Sequence, residues 1–133
     1  MKAILDTDIL STIMRRDVKA LEKAEKYLNT YSKFTFSIIT RYEILRGLKA
    51  KNALKQQETF DAFCSVSEIL PITNEIVSKA AEIYAALYQS GGLISDADIL
   101  IAATAQIEEC LLVSNNERHF SRIAGLNIEN WLK

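Results

Sequence analysis

The sequence predicts an α/β fold around a mostly parallel sheet, and two observations carry that expectation. Short runs rich in β-forming residues alternate with longer stretches of helical periodicity. One of those stretches, Ala97 to Ala105, is apolar at nearly every position, as a helix buried on all sides would be. The elements follow in order. Lys2 to Leu5 reads as a first buried strand, and Ile9, Leu10, Ile13 and Met14 recur at helical spacing after it. From Asp17 onward, Ala20, Leu21, Ala24, Tyr27, Leu28 and Tyr31 line one face of an amphipathic helix. Phe34 to Ser37 is the second strand.

Thr40 reads as the cap of the next helix, with Ile44, Leu45 and Leu48 on one side and Gly47 in its last turns, where it permits close packing or weakens the end. A further helix runs from Lys51 to about Val66, with Phe60, Phe63 and Cys64 inward. Ile69 to Ile72 is a short strand that Pro71 assigns to an edge or an end. Thr73 opens a long helix that Gly91-Gly92 stops. Leu111 to Val113 is a strand, and Leu126 to Trp131 holds a last one.

Composition narrows the function classes. The chain has 133 residues, the size of one domain, and 49% of them are hydrophobic, enough for a single core. One Pro and four Gly leave little room for linkers. Sixteen basic residues against seventeen acidic ones give no global nucleic-acid signature, although a local basic rim around an acidic pocket is invisible to net charge. Asp6 interrupts any signal-peptide core, and no apolar run reaches membrane-spanning length. Cys64 and Cys110 lie in apolar stretches and read as small core residues. All of this suits the cytoplasm.

Ligands of parallel sheets collect beyond the carboxyl ends of the strands, so the polar residues there are the candidates for chemistry. Asp6-Thr7-Asp8 follows the first strand, Glu43 lies one turn into the helix after the second, and Ser114-Asn115-Asn116 follows the strand ending at Val113. Asp96 and Asp98 open the apolar helix. Carboxylates brought together either take up protons or bind a cation. Oxygen donors of this kind suit Mg2+ or Mn2+, whereas one His and no cysteine cluster argue against zinc. A cation held there would take a phosphate oxygen and activate water for phosphodiester hydrolysis.

Each acid also has a plainer reading. Asp96 alone reads as an N-cap, Glu43 as a solvated helix residue, Asp6 as a turn former and Asp8 as a cap or supporting group. Asp98 leads into an apolar helix, where an unpartnered acid is costly, and this tilts it toward function. His119, the single histidine, reads as a surface residue.

Four segments in this order resemble the motifs of PIN domains, and the VapC branch in particular. They are Leu5 to Leu10, Ser37 to Gly47, Asp98 to Ala105, and Leu112 to Asn116 followed by Phe120. The resemblance spans essentially the whole chain and implies a three-layer α/β/α sandwich and a metal-dependent endoribonuclease. It implies that Asp6, Glu43 and Asp98 hold Mg2+ or Mn2+, with Asp96 and Asn116 as further candidate ligands and Thr7, Asp8, Thr40 and Ser114 in support. Two positions depart from the family pattern. Ser114 replaces a more usual Thr, and His119 stands where many members have an acid.

The ending from Phe120 to Trp131 is similar to members that cut initiator tRNA. Members of the family usually form homodimers and are silenced by a VapB-type antitoxin. Arg15, Arg16, Arg41 and Arg46 are the candidate RNA contacts, with Lys19, Lys49, Lys51 and Lys55 behind them; the plainer reading of all of them is a solvated helix face. Arg46 can instead pair with Glu43. The tyrosines Tyr27, Tyr31, Tyr84 and Tyr88 suit core or dimer packing better than base stacking. Ile9, Ile13 and Met14 are the candidate antitoxin groove. Two rivals stand beside the nuclease: a PIN-like module that binds RNA or protein without cutting, and a haloacid-dehalogenase-type phosphatase using Asp6 and Asp8.

Overall fold

A computed structural model describes residues 1–133. Five short strands form one sheet in the order β3-β2-β1-β4-β5, every neighbouring pair parallel. They are β1 (Ala3–Leu5), β2 (Thr35–Ser37), β3 (Glu68–Leu70), β4 (Leu111–Val113) and β5 (Ile128–Glu129). Seven helices connect them: α1 (Thr7–Met14), α2 (Val18–Tyr31), α3 (Ile38–Ala50), α4 (Leu54–Ser65), α5 (Asn74–Ser90), α6 (Asp96–Ile107) and α7 (Glu117–Phe120).

The strand alternation seen in the sequence produces the three layers. In β1, Ala3 and Leu5 enter one apolar cluster and Ile4 enters the other, because successive side chains point to opposite faces. The first cluster joins Leu5, Ile9, Leu10, Phe36 and Phe60, and packs α1 to α4 on one side. The second joins Ile4, Ile76, Ile83, Ile101 and Leu112, and packs α5 and α6 on the other. Ile101, Ala102, Ala103 and Ala105 have no exposed surface, so the apolar stretch of α6 is wedged against sheet and α5 as its composition requires. Pro71 follows β3, which forms one edge of the sheet.

Three helix starts differ from the sequence reading. Ser37, not Thr40, caps α3: its hydroxyl accepts from the Ile39 N–H, which leaves Thr40 buried in the first turn. Ser95, not Asp96, caps α6, accepting from the Asp98 N–H. The helix after Asn52 starts at Leu54 and lacks a side-chain cap, because its N-cap position is Ala53, whose methyl group cannot accept a hydrogen bond. Gly47 does not serve close packing, since a Cβ placed there would meet nothing within 4 Å.

Thr73 and Gly91 end α5 as expected, Gly91 at φ 73° with open space around it. Gly91→Ala is therefore expected to cost only the backbone strain of a left-handed residue, about 1 kcal/mol. A thermal melt should show Tm lower by roughly 3–6 °C. An unchanged Tm would mean that this turn relaxes freely.

Candidate functional site

The chain proceeds from β1 outward to β2 and β3, then returns to lay β4 and β5 on the other side of β1. This places the topological switch between β1 and β4, and the residues just beyond those two strands share one crevice. Asp6 is the N-cap of α1 and is only 4% exposed. Its Oδ1 accepts from the Thr7 N–H at 2.9 Å, and its Oδ2 accepts from the Ser114 hydroxyl at 2.7 Å. The Ser114 hydroxyl in turn accepts from the Asn116 N–H at 2.9 Å. One hydroxyl thereby ties the loop after β4 to the acid after β1.

Burial pushes the Asp6 carboxyl up to about 7, with the charge of Asp8 adding to it and that of Asp98 contributing further; the bonds from Ser114 and Thr7 oppose the rise. The Asp8 carboxyl is also raised, first by burial, and Asp98 contributes again. Its Oδ2 accepts from the Asn115 N–H at 3.1 Å, while its Oδ1 is buried without any hydrogen-bond partner. Such an orphaned carboxylate oxygen is a group awaiting a donor or a cation. Asp8 thus shares the charged environment of Asp6 and Asp98.

Glu43 is joined to this edge through Thr7. The Thr7 hydroxyl donates to Glu43 Oε1 at 2.7 Å and lies 3.1 Å from the buried Thr40 hydroxyl. The side chain of Glu43 is 20% exposed, and its other oxygen lies 3.7 Å from Arg46. Asp98 reaches the crevice from the first turn of α6, its side chain 19% exposed. Asp96, one position into the helix, is exposed and is not among the charges acting on Asp6.

His119 keeps 41% of its side chain exposed, as a surface position requires, yet it has neighbours in the site. Its Nδ1 lies 2.8 Å from Asn116 Nδ2, which donates to it, and 3.7 Å from Asp98 Oδ2. The donor set of carboxylates, hydroxyls and amides is hard, and together with the orphaned Asp8 oxygen it fits Mg2+ or Mn2+. The acids do not form a closed cage, since no three of them converge tightly enough to chelate an ion by themselves.

The basic candidates divide. Arg15 and Arg16 are exposed at the end of α1, and both line a groove of about 610 Å3 that also takes in Thr7, Glu43, Met14 and Phe63. Arg46 is exposed, pairs with Glu43 and lies 5.2 Å over the Tyr42 ring. Arg41 sits beside the Cys64 thiol of α4. Of the expected groove residues, Ile13 and Met14 line it, but Ile9 is fully buried in the core. Tyr27 and Tyr31 stack at 4.6 Å, and the Tyr27 hydroxyl accepts from the Ala3 N–H. Tyr84 and Tyr88 stack on each other at 6.2 Å but are exposed on α5, outside the core.

Asn115 and Asn130 complete the site's framework. Asn130 Nδ2 donates to Asn115 Oδ1 and Glu117 Oε2. No pattern in the sequence distinguishes Asn130 from any polar residue near a strand end.

Comparisons with known proteins agree with this geometry. The PIN domain family model matches residues 3–126. Ribonuclease VapC2 of Haemophilus influenzae is 33% identical over 133 residues, covering 99% of both chains. The tRNA(fMet)-specific endonuclease VapC of Salmonella typhimurium is 30% identical and covers 98% of both. A crystal structure of VapBC2 from Rickettsia felis, bound to a DNA fragment from their promoter, superimposes with a TM-score of 0.88 at 28% identity, covering 98% of this chain and 99% of that one. The phosphatase alternative is set aside by these matches. With the acid-lined switch point in place and both ends of the sequence aligned, the chain belongs to the PIN-domain family, within its VapC ribonuclease branch.

Proposed function

We propose that the chain is an endoribonuclease that uses Mg2+ or Mn2+ to cut tRNA in the cytoplasm, works as a homodimer and is silenced by a VapB-type antitoxin. The observation that carries the metal reading is the pairing of buried Asp6 with half-buried Asp8, both held above the usual carboxylate range, with one inaccessible Asp8 oxygen left unpartnered. Asp6, Asp8, Glu43 and Asp98 would hold the ion, with Asn116 beside them. When bound, the ion would supply positive charge to a phosphate oxygen and lower the pKa of the water that attacks phosphorus as the sugar oxygen leaves.

The chain's own groups prepare that chemistry. The Ser114 hydroxyl fixes the rotamer of Asp6, and the Thr7 hydroxyl fixes Glu43. Arg15 and Arg16, exposed at the mouth of the groove beside Glu43, supply cations for the RNA backbone. Arg46 is close enough to Glu43 to restrain it and exposed enough to reach a phosphate. The same groove, apolar where Met14, Leu48 and Phe63 line it, would receive a segment of the antitoxin. The Tyr84–Tyr88 pair on α5 is the surface offered for the dimer. A tRNA substrate is favoured by the Salmonella relative's specificity for tRNA(fMet).

A tRNA pool incubated with the protein and Mg2+ or Mn2+ tests this reading. Cleavage should vanish with EDTA and in Asp6→Asn, and the missing band names the substrate. The open arrangement of the acids favours one second reading, a module that binds RNA without cutting it. Retained RNA binding with no cleavage in either metal would select that reading.

A further inference from the structure

The C-terminal segment crosses the crevice edge immediately beyond β5. It is anchored twice. The Ser114 N–H donates to the Glu129 carbonyl at 2.9 Å, and Trp131 is buried in the apolar cluster beside Tyr27, ring centroids 5.7 Å apart. Between these anchors the Asn130 side chain uses every polar atom. Its Oδ1 accepts from the Leu132 N–H at 2.9 Å, a local turn that fixes the side-chain direction. Its Nδ2 donates to Asn115 Oδ1 at 3.0 Å and to Glu117 Oε2 at 3.1 Å. Lys133 holds the same Glu117 carboxylate at 2.7 Å.

Those two acceptors flank the loop that touches the acids. The Asn115 N–H donates to Asp8, and the Asn116 N–H donates to the Ser114 hydroxyl that donates to Asp6. We propose that Asn130 is a positioning residue, a staple from the C-terminal segment that sets the Ser114–Asn116 loop against Asp6 and Asp8 and so sets the site's affinity for its cation. The loop has no strand partner past Ser114; α7 anchors its Asn116 end, whose carbonyl accepts from the His119 and Phe120 N–H groups, and the staple is the side-chain anchor at Asn115. Supporting groups of this kind typically change metal affinity by about 10-fold or more when removed. The cation part of the inference rests on the metal-dependent reading above; the loop-setting part does not.

Asn130→Ala and Asn130→Asp test it together. Aspartate keeps the size of the side chain and the bond from Leu132 but cannot donate to Asn115 or Glu117. Amide hydrogen exchange followed by NMR should show faster exchange at Asn115 and Asn116 in both variants, with the β4 amides unchanged. Mn2+ titration by calorimetry should show Kd raised by about 10-fold in both. kcat at saturating metal should fall less than the affinity does. If the role were only the local turn made by the bond from Leu132, Asn130→Asp would keep wild-type exchange and Kd and Asn130→Ala would merely lower Tm, an outcome that overturns the proposal. Unchanged exchange at Asn115 and Asn116 overturns it as well. Wild-type protein that takes up no Mn2+ would refute the metal reading and the affinity part with it, and the exchange result would still decide whether Asn130 sets the loop.

Discussion

Asp6→Asn is expected to abolish RNA cleavage and, at pH 8 without metal, to make the protein more heat-stable than wild type. Both effects come from the same environment. Asp6 is 4% exposed and shares its surroundings with Asp8 and Asp98, so its carboxyl holds a proton up to about pH 7. In the unfolded chain the carboxyl ionises near 3.8. Between those values the unfolded state binds fewer protons than the folded state, so stability falls as pH rises from about 4 through about 7. Above that window the native protein carries the full cost of a buried charge.

Asparagine removes this cost without losing the local bonds. Its oxygen can still accept from the Thr7 N–H, and its amide can donate to the Ser114 hydroxyl, which retains an acceptor site for the Asn116 N–H. A gain of about 1 kcal/mol would raise Tm by roughly 3–6 °C. The gain should shrink toward pH 5, where the wild-type carboxyl is protonated in the fold. Added Mn2+ should reverse the order, since a ligand stabilises only the form that binds it. Loss of several kcal/mol of transition-state charge stabilisation corresponds to a rate on the order of 1000-fold lower. Melts at pH 5 and pH 8, with and without Mn2+, check the first part, and single-turnover cleavage checks the second. A variant less stable than wild type at pH 8 would mean that the Asp6 charge is already compensated within the fold.

Much of this arrangement was legible in the residues because strand, turn and acid follow one another along the chain. Leu5-Asp6 and Val113-Ser114 are each an apolar strand end followed by a polar residue, and parallel pairing of Leu5 with Val113 brings them side by side. Glu43 was legible from its motif, but the bond that seats it was not, because Thr7 and Glu43 are 36 residues apart. Helix starts were misplaced where two capping residues stood near each other. Ser37 and Thr40, or Ser95 and Asp96, are equally good caps by type, and packing against the sheet decides between them. The contacts of His119 and Arg41 were equally illegible, because periodicity on a helix of four residues, or near the start of α3, does not show which way a side chain turns. Asn130 lay beyond reach altogether, since its partners belong to a loop that precedes it by more than ten residues.

Glu43→Gln is expected to reduce cleavage by about 100-fold or more while leaving the fold intact. The Thr7 hydroxyl donates to Glu43 Oε1, and a glutamine oxygen in the same place accepts the same bond. The pair with Arg46 at 3.7 Å involves an arginine 59% exposed, and pairs of that kind contribute little. Stability should therefore stay within about 0.5 kcal/mol of wild type. What is lost is the negative charge alone. Thr7→Val makes the complementary change, keeping the charge and removing the hydroxyl that aims it, and it should weaken metal binding more than it lowers the rate at saturating metal. Single-turnover cleavage across a metal titration separates the two. A Glu43→Gln rate equal to wild type would remove Glu43 from the reaction and leave Asp6, Asp8 and Asp98 as the whole acidic set. A Thr7→Val defect equal to that of Glu43→Gln at every metal concentration would mean that position and charge cannot be separated at this residue.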